Sequence, residues 1–134
     1  MRFRTRAVHA GLGSTPEHGD VMPPVHVSST YAFAAPDQAR PYDYARSGNP
    51  SRTELEQALA ALENATHAHA FASGMAAIAM TLELVRPGER ILVSDECYGG
   101  TWRLLYQVCA PRGVQVEAVD AADLDAVEAA LAAQ

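Results

Sequence analysis

The sequence predicts an α/β fold: an N-terminal arm over residues 1–50, then the first βαβ units of a mainly parallel sheet over residues 51–134, an incomplete set of strands and helices. Three observations carry this. The first fifty residues are rich in Pro, Gly, Ser and aromatics, and Pro16, Pro23, Pro24, Pro36, Pro41 and Pro50 interrupt any long helix. From Ser51 onward, short apolar runs alternate with amphipathic stretches of helical length, the pattern of strands joined by helical crossovers with helices on both faces. The chain stops after a helix, and only about three strands can be read where sheets typically hold about five or six, so the sheet is expected to continue in other sequence.

The arm is not a disordered tail. Val25, Val27, Tyr31, Phe33, Tyr42 and Tyr44 offer apolar surface that calls for a cover, and a neighbouring subunit is the natural one. At Ser51 a capping box with Glu54 opens a helix on which Leu55, Ala58, Leu59 and Leu62 fall at helical spacing. His67 to Ala72 reads as a short strand, Gly74 to Val85 as a buried helix, and Arg86-Pro87-Gly88 as its stop. Ile91-Leu92-Val93 reads as the next strand. Thr101 is placed to cap a helix with Trp102, Leu105 and Cys109 on its apolar face, closed by Pro111 and Gly113 before a strand from Val114 to Val119. A last helix with Leu124, Val127 and Leu131 on one face runs to the end.

Composition narrows the function. At 134 residues there is room for one domain or a large piece of one. A net charge of -6 disfavours nucleic acid or an anionic membrane as partner and is the charge of an ordinary soluble surface. The apolar runs are too short to span a membrane, and the arginines among Met1 to Arg6 lead into no apolar leader segment. Cys97 and Cys109 form no Cys-x-x-Cys pair and read as two buried thiols in a reducing cytoplasm. His67 and His69 lack acidic or thiol partners nearby, so no metal site is expected. Gly11-Leu12-Gly13 lacks the strand and third glycine of a dinucleotide fingerprint, and Asp120, Asp123, Asp125 and Glu128 read as an acidic first turn and a solvated face.

Three segments bear chemistry. Ser73-Gly74-Met75 at the start of a helix places free amides and the positive end of the helix dipole where an anion can sit, although Ser-Gly is also a common plain cap. In an extended segment Tyr44 and Arg46 project to one side, a phenol and a forked guanidinium suited to a phosphate; the other reading is a surface arginine beside a packed tyrosine. Tyr98 follows a strand at its carboxyl end, where parallel sheets place ligands, and its ring can stack on a flat cofactor or serve packing alone. Gly99-Gly100 lets the chain turn around it.

In this order the segments resemble the Cys/Met-metabolism family of enzymes dependent on pyridoxal 5′-phosphate. The likeness extends to Ala7-Val8-His9-Ala10-Gly11, to Pro23-Pro24-Val25-His26-Val27-Ser28-Ser29-Thr30-Tyr31 and to Asp95-Glu96-Cys97-Tyr98-Gly99-Gly100-Thr101, essentially the whole chain. The wording of the arm and of Cys-Tyr-Gly-Gly is most similar to the family's bacterial cystathionine γ-synthases. The resemblance implies the N-terminal portion of an aminotransferase-type (fold type I) large domain. It further implies that Tyr44 and Arg46 reach the cofactor phosphate of a neighbouring subunit, that Ser73, Gly74 and Met75 cradle the phosphate, and that Tyr98 stacks on the pyridine ring and assists proton movement as a catalytic residue.

By the same resemblance, Arg103 meets a substrate carboxylate; its other reading is a helix-surface arginine. The complete enzyme is expected to be a cytoplasmic homo-oligomer, a dimer of dimers, with small amino-acid substrates and no metal, nucleic acid or membrane partner. Its expected reaction is γ-replacement on an O-acylhomoserine with cysteine to give cystathionine, with cystathionine γ-lyase and O-acylhomoserine sulfhydrylase as the alternatives. Members that use succinylated homoserine carry a second arginine where this chain has Ser47, which weakens the choice of succinyl over acetyl donor. All ten basic residues counted as Lys or Arg are arginine. The Schiff-base lysine such enzymes need is absent from this chain, which motivates a reading of another class: a truncated, non-catalytic fragment.

Overall fold

Asn49, not Ser51, starts the first long helix. In the computed structural model, which describes residues 2–12 and 19–133, α2 spans Pro50–Leu62, and the Asn49 side chain accepts hydrogen bonds from the amides of Ser51 and Arg52. Pro50 is preset for the first helical position and has no N–H to leave unpaired, so the helix begins before the expected capping box. Ser51 is used elsewhere: its Oγ accepts from the His26 amide at 2.9 Å and ties the extended arm to the helix. Met1, Gly13, Pro16 and Gln134, which figured in the sequence reading, lie outside the described residues.

The chain divides into two compact units, Met1–Ala70 and Phe71–Gln134. In the first, a short helix not foreseen from the sequence, α1 (Phe3–His9), packs on α2. Arg6 of α1 donates to the carbonyl of Ala61 at 2.9 Å and to the side chain of Asn64. The turn after α1 depends on Gly11, which has φ +74° and lies so close to α2 that a Cβ would stand 2.5 Å from the Glu54 carbonyl oxygen and 2.6 Å from the Ala58 Cβ. Here the glycine has a packing role, and nothing of a nucleotide loop is needed to explain it. Leu55 and Leu59 on α2 remain substantially exposed, and Ala60 is buried. His67 to Ala72 does not form the expected strand. A strand requires a neighbour to take its amides, and the Ala70 amide there donates to the Glu56 side chain at 2.9 Å, not to another strand.

The second unit is built on two parallel strands, β1 (Arg90–Ser94) and β2 (Gln115–Val119), in register from Arg90 opposite Gln115 to Ser94 opposite Val119. It thus holds two of the three strands expected. Preceding them is α3 (Gly74–Leu82), which ends before Val85 in a series of turns. The crossover is α4 (Gly99–Leu104), continued by a π-helical turn over Leu105–Cys109 and a 3-10 turn over Ala110–Arg112. Pro111 and Gly113 close it as expected, Gly113 in the left-handed region at φ 94°. Thr101 is not its cap: α4 starts at Gly99, and Tyr98 occupies the cap position without a side-chain hydrogen bond.

The core of this unit gathers Leu105, Cys109 and Val114, with Leu82, Val85, Ile91, Val93, Leu104, Tyr106 and Val116 packed around them. Leu105 and Cys109 are buried as expected. Trp102 lies outside the core, stacked on Tyr106 with ring centroids 4.1 Å apart. Both cysteines are free, but Cys97 is only half-buried, because it sits in the loop after β1 and not on the buried face of the crossover. The last helix, α5 (Leu124–Ala132), is capped by Asp123 and buries Ala130, whereas Leu124 and Leu131 are exposed. Arg90 ties these pieces together. It pairs with Glu117 of β2 at 2.8 Å and donates to the Ala130 carbonyl of α5 at 2.6 Å.

Candidate functional site

Two groups of the sequence-selected residues are found, one in each unit. In the second unit, Ser73 caps α3 through its Oγ, which accepts from the Ala76 amide at 3.1 Å. A serine hydroxyl that accepts in this way still has its own proton to donate. Gly74 and Met75 open the helix, and their amides are among those a helix leaves without intrahelical acceptors. Gly74 has no left-handed φ, and a Cβ added to it would meet no protein atom within 4 Å. Neither backbone conformation nor protein packing calls for glycine there, and the amides of this first turn are open to approach.

Tyr98 stands close by. A Cβ added to Gly100 would lie 2.6 Å from Cε1 of Tyr98 and 2.9 Å from Sδ of Met75, so the phenol ring and the first turn of α3 meet over one glycine. The ring is 70 % exposed. Donors for an anion and a flat aromatic surface therefore stand side by side. This donor set fits a phosphorylated aromatic ring: amides, a hydroxyl and a helix N-terminus for the ester oxygens, and the phenol ring for the π face.

In the first unit, Tyr44 and Arg46 come together, but not by the expected alternation along an extended segment. Tyr44 bridges Thr30 in antiparallel fashion and the chain turns at once, so that the Arg46 guanidinium carbon lies 5.3 Å from the centre of the Tyr44 ring. A turn replaces the extended segment, closed by the carbonyl of Tyr44, which accepts from the amides of both Ser47 and Gly48. Both side chains are exposed, and the guanidinium keeps its forked donors available.

Sequence reasoning missed Arg52. Its guanidinium donates to the carbonyls of Ala45 at 3.2 Å, Arg46 at 3.3 Å and Ser47 at 3.1 Å, and so fixes the turn that carries Tyr44 and Arg46. One signal was available, since an arginine in the first turn of a helix opposes the helix dipole and needs a reason to be there. Asn49 was missed as well: beyond capping α2, its amide donates to the His26 carbonyl at 3.0 Å and to the Tyr31 hydroxyl at 3.3 Å. Arg103 lies exposed in the last turn of α4, and among the described residues its side chain makes no hydrogen bond or ion pair. Among the described residues, no group of three or more His, Cys, Asp or Glu side chains is arranged to hold a metal ion.

The profile of the Cys/Met metabolism PLP-dependent enzyme family matches residues 4–134, and the chain belongs to that family. Cystathionine gamma-synthase of Mycobacterium tuberculosis is 46% identical over 129 residues, which cover 95% of this chain and 33% of that protein. Cystathionine beta-lyase of Coxiella burnetii is 43% identical over 131 residues, covering 97% of this chain and 34% of that protein. Among solved structures, apo CalE6, a methionine gamma lyase from Micromonospora echinospora, superposes with a TM-score of 0.84 at 47% identity, covering 98% of this chain and 35% of that one. The chain thus spans about a third of the length of the relatives it matches. The fold class expected from the sequence holds: the chain is α/β with a small parallel sheet, and it superposes on about a third of the length of solved chains of this enzyme class. The family is one of pyridoxal-phosphate-dependent enzymes, and the matched relatives are named for synthase, γ-lyase and β-lyase reactions.

Proposed function

We propose that the chain is the N-terminal part of a cystathionine γ-synthase-like enzyme, which exchanges the γ-acyloxy group of an O-acylhomoserine for the sulfur of cysteine. In such an exchange the C–O bond to the leaving carboxylate breaks, the C–S bond forms, and the thiol proton is given up. The observation that carries the reading is the open first turn of α3 at Gly74 beside the exposed ring of Tyr98. Bound there, pyridoxal phosphate would supply an electron sink for the substrate's carbon atoms.

The chain's own residues have distinct tasks in this proposal. Amides of Gly74 and Met75, with the Ser73 hydroxyl, hold the phosphate. Tyr44 and Arg46 of a second copy complete its neutralisation, and the arm over residues 1–50 is the element that delivers them across the interface of a dimer of dimers. Tyr98 stacks on the ring and holds or releases a proton at its phenolic oxygen. Arg103 receives a substrate carboxylate. We place the enzyme in the cytoplasm; no helix among the described residues is long and apolar enough to cross a membrane.

Turnover of the full-length gene product decides the reaction. Homoserine esters supplied with cysteine should yield cystathionine. If 2-oxobutyrate released from cystathionine is the dominant product the enzyme is a γ-lyase, and if sulfide is the preferred acceptor it is a sulfhydrylase. A second reading has its own observation. None of the 134 residues is lysine, so this chain by itself is a non-catalytic piece that contributes binding surfaces. Cofactor absorbance that borohydride fixes irreversibly to a side chain of the isolated chain would contradict that second reading.

A further inference from the structure

Gly99 and Gly100 are adjacent, share the first turn of α4, and differ in what surrounds them. A Cβ at Gly99 would meet no atom within 4 Å beyond its chain neighbours and its own helix, whereas one at Gly100 would lie 2.6 Å and 3.1 Å from two ring carbons of Tyr98 and 2.9 Å from Sδ of Met75. Neither glycine has a positive φ. The helical backbone at Gly100 would therefore accept alanine, which in open space favours a helix over glycine. What excludes a side chain is the pair of groups lying over it.

Tyr98 is 70 % exposed, so burial does not hold its ring. An exposed aromatic side chain exchanges among its staggered rotamers unless a contact selects one. We infer that Gly100 is a positioning residue: its bare Cα is a seat on which an edge of the Tyr98 ring and the thioether of Met75 rest together, fixing the aromatic surface relative to the amides of Gly74 and Met75. The inference rests on the cofactor reading above. In that setting one missing methyl group sets the spacing between the phosphate donors and the stacking ring, so a ligand finds both at the right separation.

The test uses full-length protein and pyridoxamine 5′-phosphate, a probe that has phosphate and ring but no aldehyde to link to an amine. Gly100→Ala should weaken its binding by roughly fivefold to tenfold, the size of a lost aromatic stacking contact, while the melting temperature stays level or rises. In a Tyr98→Ala background the same substitution should have little further effect, because the seat then has no occupant. A ligand-free readout accompanies this: with 3-fluorotyrosine incorporated, the 19F resonance assigned through Tyr98→Phe should shift and narrow in Gly100→Ala as the ring is released. Equal weakening by Gly100→Ala in both backgrounds, or an unmoved resonance, overturns the inference. A resonance that responds as expected in a protein that binds no pyridoxamine phosphate overturns the cofactor reading, and the positioning role with it.

Discussion

Gly74 opens a helix and Gly11 lies against one, and they make opposite predictions. At Gly74 there is open space and no unusual φ, so Gly74→Ala should leave stability unchanged or raise it by less than about 1 kcal/mol. Affinity of the full-length enzyme for inorganic phosphate and for the cofactor should fall, and calorimetry alongside a thermal melt separates the two effects. Gly11→Ala combines a left-handed φ with contacts of 2.5 Å and 2.6 Å to α2. It should destabilise by about 1–3 kcal/mol, with α1 displaced, as read by denaturant unfolding. Ser73→Ala removes a cap as well as the proposed phosphate donor, and about 1 kcal/mol of helix stability should go with phosphate affinity. The Ser73 cap could be read from sequence because capping is chemistry between residues three apart. The demand on Gly11 could not, since it comes from Glu54 and Ala58 far along the chain.

The same distinction between local and distant causes applies to the elements. α3, the strands β1 and β2, and the closure of the crossover at Pro111 and Gly113 follow from periodicity and breakers, and the structure has them close to where the sequence places them. The strand expected over His67 to Ala72 fails for lack of a partner, which no local pattern reveals. The crossover helix was legible as a helix, but its π turn over Leu105–Cys109 was not, because no helical periodicity in the sequence marks a single turn of wider register. Leu105 is 1% exposed, and Leu105→Ala should cost about 2–5 kcal/mol of the second unit's stability, measured by chemical denaturation. Arg90 gives a further test. Arg90→Met removes both the Glu117 pair and the bond to Ala130, and amide exchange across α5 should accelerate before exchange in the strands does. Uniform acceleration throughout the unit would show that α5 does not depend on this side chain.

At the scale of the whole molecule, apolar side chains in the water are the dominant feature. Val21, Val25 and Val27 are each more than four-fifths exposed, and Phe3, Val8 and Met22 add to the same unit's apolar surface. Surface of this kind calls for cover, and in the proposed enzyme a second copy supplies it. The full-length protein should sediment as an oligomer, and Val25→Asp with Val27→Asp should shift it toward smaller species and weaken cofactor binding together. Loss of assembly with unchanged cofactor affinity would sink the idea that Tyr44 and Arg46 act across the interface. The bend that presents those two residues is fastened from within its own unit by Arg52, Asn49 and the tyrosine pair Tyr31 and Tyr42, whose rings lie 5.7 Å apart. In the proposed enzyme a receiving surface would then meet a ready-made hook rather than loose string. With these bonds already made within its own unit, the segment should have little left to order on docking, and encounter should be limited by diffusion and orientation and not by a folding step.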